Sequence, residues 1–128
     1  MDNKIQILST KAIGAELARI AGEHHICIEE VSFIKTEEVV SEELRKRIAV
    51  LSQQNITAVF TSANAVNAVK NLLPAKPSWK IFCIGYQTKN SAITTFNEKN
   101  IVGIADNGEE LGEEIIKQSS VKKIIFFC

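Results

Sequence analysis

The stretch Ile56-Thr57-Ala58-Val59-Phe60-Thr61-Ser62-Ala63-Asn64-Ala65-Val66 governs the reading of everything around it. Thr57 to Thr61 is apolar and rich in β-branched and aromatic residues, the signature of a buried strand. Ser62, Ala63 and Asn64 follow as a short polar break. Val66, Val69, Leu72 and Leu73 then recur at helical spacing, and Pro74 stops the helix. A strand that opens through hydroxyls straight into a helix is the first half of a βαβ unit.

The same alternation extends in both directions. Downstream, Ile81 to Ile84 reads as a strand ended by Gly85, and Thr88 as a cap for a helix bearing Ala92, Ile93 and Phe96. Ile101 to Ile104 is a further strand. Asn107 followed by Glu110 resembles a capping box, with Leu111, Ile115 and Ile116 as the buried stripe. Lys122 to Cys128 is the last strand. Upstream, Ser41 is a suitable N-cap, Glu42 and Glu43 suit the positive end of the helix dipole, and Leu44, Ile48 and Leu51 form one face. Lys35 to Val40 has no period and reads as a linker. Before it lie a strand at Ile5, Ile7 and Leu8, a helix bearing Ile13, Leu17, Ile20 and Ala21 with Gly22 as its C-cap, and a strand from His25 to Ile34. The fold class is therefore α/β, with parallel sheets carrying helices on both faces and right-handed crossovers.

The chain has 128 residues, the size of one ordinary domain. Hydrophobic residues are 45 % and charged residues 23 %, enough apolar surface to disfavour disorder. Lys+Arg and Asp+Glu are both 15, so the basic excess of a nucleic-acid binder is missing. No apolar run approaches the roughly 20 residues that span a bilayer. Met1 to Thr10 has no apolar core of a signal peptide. Cys27, Cys83 and Cys128 are far apart and odd in number, against a disulfide framework or a zinc site and in favour of a reducing cytoplasm. Cys27 and Cys83 sit among apolar residues and read as inert core thiols.

In open α/β sheets, ligands bind beyond the carboxyl ends of the strands. Four loops meet that rule: Ser9-Thr10-Lys11, Thr61-Ser62-Ala63-Asn64, Gly85-Tyr86-Gln87-Thr88 and Asp106-Asn107-Gly108. Each is read as following a strand and opening a helix, whose free N–H groups favour carboxylates or phosphates. The same Ser, Thr and Asn residues also suit plain helix caps. No GxGxxG follows the first strand and no GxxxxGK[ST] exists, which excludes the usual dinucleotide and P-loop sites. Asp occurs only at Asp2 and Asp106, too sparse for a carboxylate-held hard metal. His24 and His25 read as a helix–strand turn. Glu29-Glu30 and Glu37-Glu38 are neighbours that point apart in extended chain, and so are poor acid–base dyads.

Phe60-Thr61-Ser62-Ala63-Asn64-Ala65-Val66, at the end of its apolar strand, resembles the FTSxxxV block of the uroporphyrinogen-III synthase family. Ile81-Phe82-Cys83-Ile84-Gly85 with Thr88 resembles that family's next strand, glycine and threonine. Ile7-Leu8-Ser9-Thr10-Lys11 resembles its first strand, with lysine where arginine is usual. Asn107-Gly108-Glu109-Glu110-Leu111 falls where the family has a small or hydroxyl residue before a helix. The resemblance implies a two-domain architecture of which only part is present. Residues 1–34 would be the N-terminal part of domain one with a connector strand, and residues 35–128 most of domain two. The chain ends in an apolar strand at Phe126-Phe127-Cys128, where a doubly wound fold normally adds a loop and helix, and the same expectation of a partial fold follows from that.

The resemblance further implies cyclisation of hydroxymethylbilane to uroporphyrinogen III with ring D inverted, without metal or organic cofactor. Its implied substrate-binding residues are Thr61, Ser62, Ala63 and Asn64, then Gly85, Tyr86 and Thr88, with Thr10 and Lys11 from domain one. No catalytic acid is assigned; Tyr86 is not the family's cleft tyrosine. The expected partner is this small molecule, not nucleic acid or membrane. The alternative reading is a non-catalytic, flavodoxin-like module holding a small anion in the same loops. Residues 1–34 alone would leave Ile5, Ile7, Ile26 and Ile28 exposed, so self-association by exchange of the N-terminal arm is also expected.

Overall fold

A computed structural model describes residues 4–118 and 120–128. The chain divides into two compact units, Met1–Glu38 and Val39–Cys128.

The first unit is a single βαβ element. Strand β1 (Ile5–Ser9) and strand β2 (Ile26–Glu30) pair in parallel, Ile5 beside Ile26 and Ser9 beside Glu30, and helix α1 (Ala15–Glu23) connects them. Three sequence expectations fail here. Gly22 lies inside α1, and the turn is made by His24 and by His25 in left-handed backbone at φ 57°. The two histidines thus occupy the helix–strand turn, with the His25 N–H donating to the Gly22 carbonyl. The strand expected to reach Ile34 stops at Glu30. Its partner β1 ends at Ser9, whose carbonyl takes one more bond from the Val31 N–H, and Phe33 and Ile34 then run exposed. Cys27 is exposed rather than buried, because it alternates with the half-buried Ile26 and Ile28 on a two-stranded sheet. Within this unit Ala21 is buried, and Ile5, Ile7 and Leu8 are exposed.

The second unit carries the larger core. Its elements are α2 (Glu42–Ser52), β3 (Thr57–Phe60), α3 (Ala63–Leu72), β4 (Lys80–Ile84), α4 (Tyr86–Phe96), β5 (Ile101–Ala105), α5 (Gly108–Lys117) and β6 (Ile124–Phe127). A short 3-10 turn, Glu98–Asn100, precedes β5. All pairings are parallel, in the order β5-β4-β3-β6. Ser41 caps α2 as its residue type suggests, with Oγ accepting the Leu44 N–H at 3.1 Å. Val66, Val69 and Leu72 form the buried stripe of α3.

The strand order places the helices. From β3 the chain steps through α3 to β4 and through α4 to β5, always in one direction. It then crosses back over the sheet through α5 to reach β6 on the other side of β3. Reversing direction with the same crossover hand moves the connecting helix to the opposite face. The packing agrees. Residues of α2, α3 and α4 join Ala58, Phe60, Ile81 and Cys83 in one cluster, while Leu111 and Ile115 of α5 join Val59 and Phe82 in another. The sheet therefore carries helices on both faces.

Gly103 of β5 is fixed by its neighbour. It lies beside Phe82 of β4, and a methyl group on it would meet the Phe82 ring at 2.4 Å. Phe82 is fully buried in the core beneath α5. Gly103→Ala is expected to cost about 1–3 kcal/mol through overpacking. Phe82→Leu in the same chain should recover part of that cost. Urea unfolding of the two single variants and the double variant measures both, and additive effects would dismiss the contact.

Among the described residues, no helix is long and apolar enough to cross a membrane.

Candidate functional site

The reversal of strand order between β3 and β6 makes a switch point. The chain leaves β3 through α3 toward β4 on one side, whereas β6 lies on the other side, and in open α/β sheets ligands bind beside such a reversal. The last register pair there is Phe60 with Phe127, and Thr61 and Cys128 follow on the adjacent strands. On the other side of β3, Phe60 pairs with Cys83 of β4, whose strand runs on to Ile84 and Gly85. Thr61-Ser62 and Gly85-Tyr86 thus stand on neighbouring strand ends.

Thr61 is exposed and starts the turn. Ser62 is extended, at φ −146° and ψ 148°, and its Oγ accepts the Ala65 N–H at 3.1 Å. Capping uses the hydroxyl as an acceptor and leaves its O–H available to donate. Ala63 is half-buried and Asn64 exposed. The first-turn N–H groups of α3 belong to these residues, and the helix dipole favours a negative ligand there.

The head of α4 is built differently. Thr88 is not its cap. Gly85 occupies the N-cap position at φ 81° and ψ 159°, with no side-chain cap bond, and the helix begins at Tyr86. The Gly85 N–H is held by the Ala105 carbonyl at 3.0 Å, which ties the turn to β5. Thr88 falls inside the first turn at 5 % exposure, so it presents little side-chain surface, whereas Tyr86 is 77 % exposed. Side-chain capping of the other three helix heads in this unit, α2, α3 and α5, leaves α4, among the described residues, with its first N–H groups uncapped by a side chain.

The head of α5 is closed to anions. Asn107 Oδ1 accepts the Glu110 N–H at 3.0 Å, and Glu110 Oε2 accepts the Asp106 N–H at 3.3 Å. This is nearly the expected capping box, shifted so that the glutamate reaches one residue further back. Asp106, Glu109 and Glu110 make the loop negative. Of the loops at this sheet edge, those after β3 and β4 suit a carboxylate and the one after β5 does not.

In the first unit, Ser9 Oγ donates to the Lys11 carbonyl and accepts the Lys11 N–H, closing a small turn on itself. Thr10 and Lys11 are exposed. This loop does not open directly into a helix, since α1 starts only at Ala15 behind an N-cap at Gly14.

Sequence reading missed one cation. Lys89 lies in the first turn and a half of α4, and its charge is felt by the Cys83 thiol. Burial pushes that thiol up from its ordinary value, with Lys89 opposing. Cys83 is thus a protonated core residue at neutral pH. A lysine one turn beyond the strand-end Gly85 is the signal that would have found it.

A family model for uroporphyrinogen-III synthase HemD matches residues 15–128. The chain belongs to the uroporphyrinogen-III synthase HemD family. A search of curated proteins gave no match. The family match covers both strand-end loops with exposed donors, Thr61-Ser62 and Gly85-Tyr86, and all of the four-stranded sheet.

Proposed function

We propose that this chain acts as a uroporphyrinogen-III synthase, or supplies part of one, in tetrapyrrole synthesis in the cytoplasm. The observation that carries the reading is the pair of donor-rich helix heads on adjacent strands, beside the switch point, in a chain of this family. The substrate, hydroxymethylbilane, bears eight carboxylates. Such a ligand is matched by hydroxyls and free backbone N–H groups better than by an apolar pocket. Thr61, Ser62, Ala63 and Asn64 would hold carboxylates at α3, and Gly85, Tyr86 and Thr88 at α4, the last through backbone groups. Lys89 adds a positive charge to the second set. Thr10 and Lys11 are proposed to bind carboxylates as well, Lys11 through its ammonium group.

The chemistry asks for geometry more than for a strong acid or base. Loss of the substrate hydroxyl leaves an electrophilic azafulvene on ring A. The substituted carbon of ring D attacks it to give a spiro intermediate, which opens and recloses as isomer III. Without an enzyme the same substrate closes to isomer I. A protein that fixes the carboxylates fixes which ring carbon meets the electrophile.

The test is the isomer ratio formed from hydroxymethylbilane with this chain present, read by chromatography of the oxidised porphyrins. An excess of isomer III supports the proposal. Isomer I alone, from a chain that still binds the product, favours the non-catalytic anion-binding module.

The double substitution Thr61→Val, Ser62→Ala removes both hydroxyls of the first set. Each hydrogen bond to a charged ligand contributes about 1.5–3 kcal/mol, so binding should weaken at least about tenfold in calorimetry. Loss of the Ser62 cap should lower stability by about 1 kcal/mol, which thermal unfolding separates from the binding loss. Unchanged affinity would remove these residues from the site.

A further inference from the structure

At the opposite pole of the second unit, the amino ends of β3, β4 and β6 surround a depression of about 570 Å³. Its walls include Lys80 at the start of β4, Lys122 and Lys123 just ahead of β6, and Asn55, Ser78 and Ser120. No aspartate or glutamate lines it. Register places the lysines on both sides of β3, since Thr57 pairs with Lys80 on one strand and with Ile124 on the other. With strands about 4.8 Å apart, the two flanking backbones are about 10 Å apart. That is about one Debye length at 0.1 M salt, so the charges carried by these strands add to the field over the depression. Among the described residues none of the three lysines has an ion-pair partner.

We propose that this depression binds a small oligophosphate, away from the carboxyl-end site. Its volume lies in the range of small-ligand sites. Hydroxyl and amide groups of Asn55, Ser78 and Ser120 stand among the charges, which suits a hydrated anion. The depression has lysines and no arginine. Ammonium groups bind phosphoryl groups as point charges, and three of them match the several negative charges of an oligophosphate better than the single charge of a carboxylate. Charge on both sides of β3 selects a ligand with more than one phosphoryl group over a single phosphate.

The experiment is a titration of the full chain with inorganic triphosphate at low salt, followed by amide NMR shifts and calorimetry. Saturable binding is expected, with the largest shifts at residues 55–57, 78–80 and 120–123. The triple variant Lys80→Gln, Lys122→Gln, Lys123→Gln should bind at least about tenfold more weakly, and raising the salt should weaken the parent chain similarly. Thr61→Val, at the other pole, should leave triphosphate affinity unchanged. Shifts scattered over all lysines, or no saturation at millimolar triphosphate, would overturn the proposal. So would citrate binding as tightly as triphosphate, since that removes the preference for phosphate. These lysines also flank an apolar strand, where charge discourages edge-to-edge pairing. If that is their whole role, the triple variant aggregates and the parent chain shows no saturable binding.

Discussion

Trp79→Ala is expected to lower the stability of the chain by about 3–5 kcal/mol, the largest effect of any single substitution considered. Trp79 is wholly buried just ahead of β4. Its ring lies 5.6 Å from that of Phe127, stacked, and 5.7 Å from that of Phe96, tilted. Phe60 closes the group, 5.0 Å from Phe127 and 5.7 Å from Phe96. One ring set therefore joins β3, α4, β6 and the entry to β4. The polar edges are used too. Trp79 Nε1 donates to the Leu51 carbonyl at 2.9 Å, at the end of α2 where carbonyls lack helical partners. The Trp79 carbonyl accepts from Asn100 Nδ2 at 2.8 Å. Trp79→Phe keeps most of the ring packing, and Leu51 O keeps its bond from the Gln54 N–H. Its cost should be smaller, about 1–2 kcal/mol. Urea unfolding followed by far-ultraviolet circular dichroism gives both values, since the variants remove the sole tryptophan. An alanine variant within 1 kcal/mol of the parent would dismiss the aromatic group as the organiser of this core.

Nothing in the sequence announced Trp79. It sits in Pro77-Ser78-Trp79-Lys80, between a helix and a strand, where no period exists to mark a buried face. Ser41 and the α3 stripe of Val66, Val69 and Leu72 were legible because each signal is local: a hydroxyl one turn before a helix, and a repeat near 3.6. The parallel α/β class was legible for the same reason. Strand order was not. Alternation shows that strands are parallel, but the position of β6 beside β3 depends on a crossover that no local signal records. The switch point therefore came from the topology, whereas Thr61-Ser62 was already marked by the strand-end rule and the family resemblance. The extent of β2 shows the same limit from the other side. Val31 to Ile34 has strand composition, but β1 ends first, and a strand needs a partner as much as a propensity. Cys27 failed for a related reason, since an apolar sequence neighbourhood does not supply a covering layer.

Gly85→Ala is expected to damage stability and ligand binding together, and the two can be told apart. Gly85 lies at φ 81° and ψ 159°, a region of backbone space that is essentially glycine's alone. No atom lies within 4 Å of the methyl group that alanine would add. Any cost is therefore conformational, about 1–3 kcal/mol, with no clash behind it. Relief of that strain requires the turn to change, and the turn is what sets the Tyr86 and Gln87 N–H groups at the sheet edge. The bond from the Gly85 N–H to the Ala105 carbonyl would be the first to move. On the proposed function, tetrapyrrole binding should fall by more than the change in folded fraction explains, at temperatures where the variant remains folded. Thermal unfolding gives the stability and calorimetry with uroporphyrinogen III gives the affinity. A variant that loses stability but binds as tightly as the parent would mean that the α4 head shapes the fold without touching the ligand, and the carboxylates would then be assigned to α3 alone. A variant that loses neither would mean that the turn accepts a side chain in a different backbone conformation, leaving the strand-end geometry at β4 without its glycine requirement.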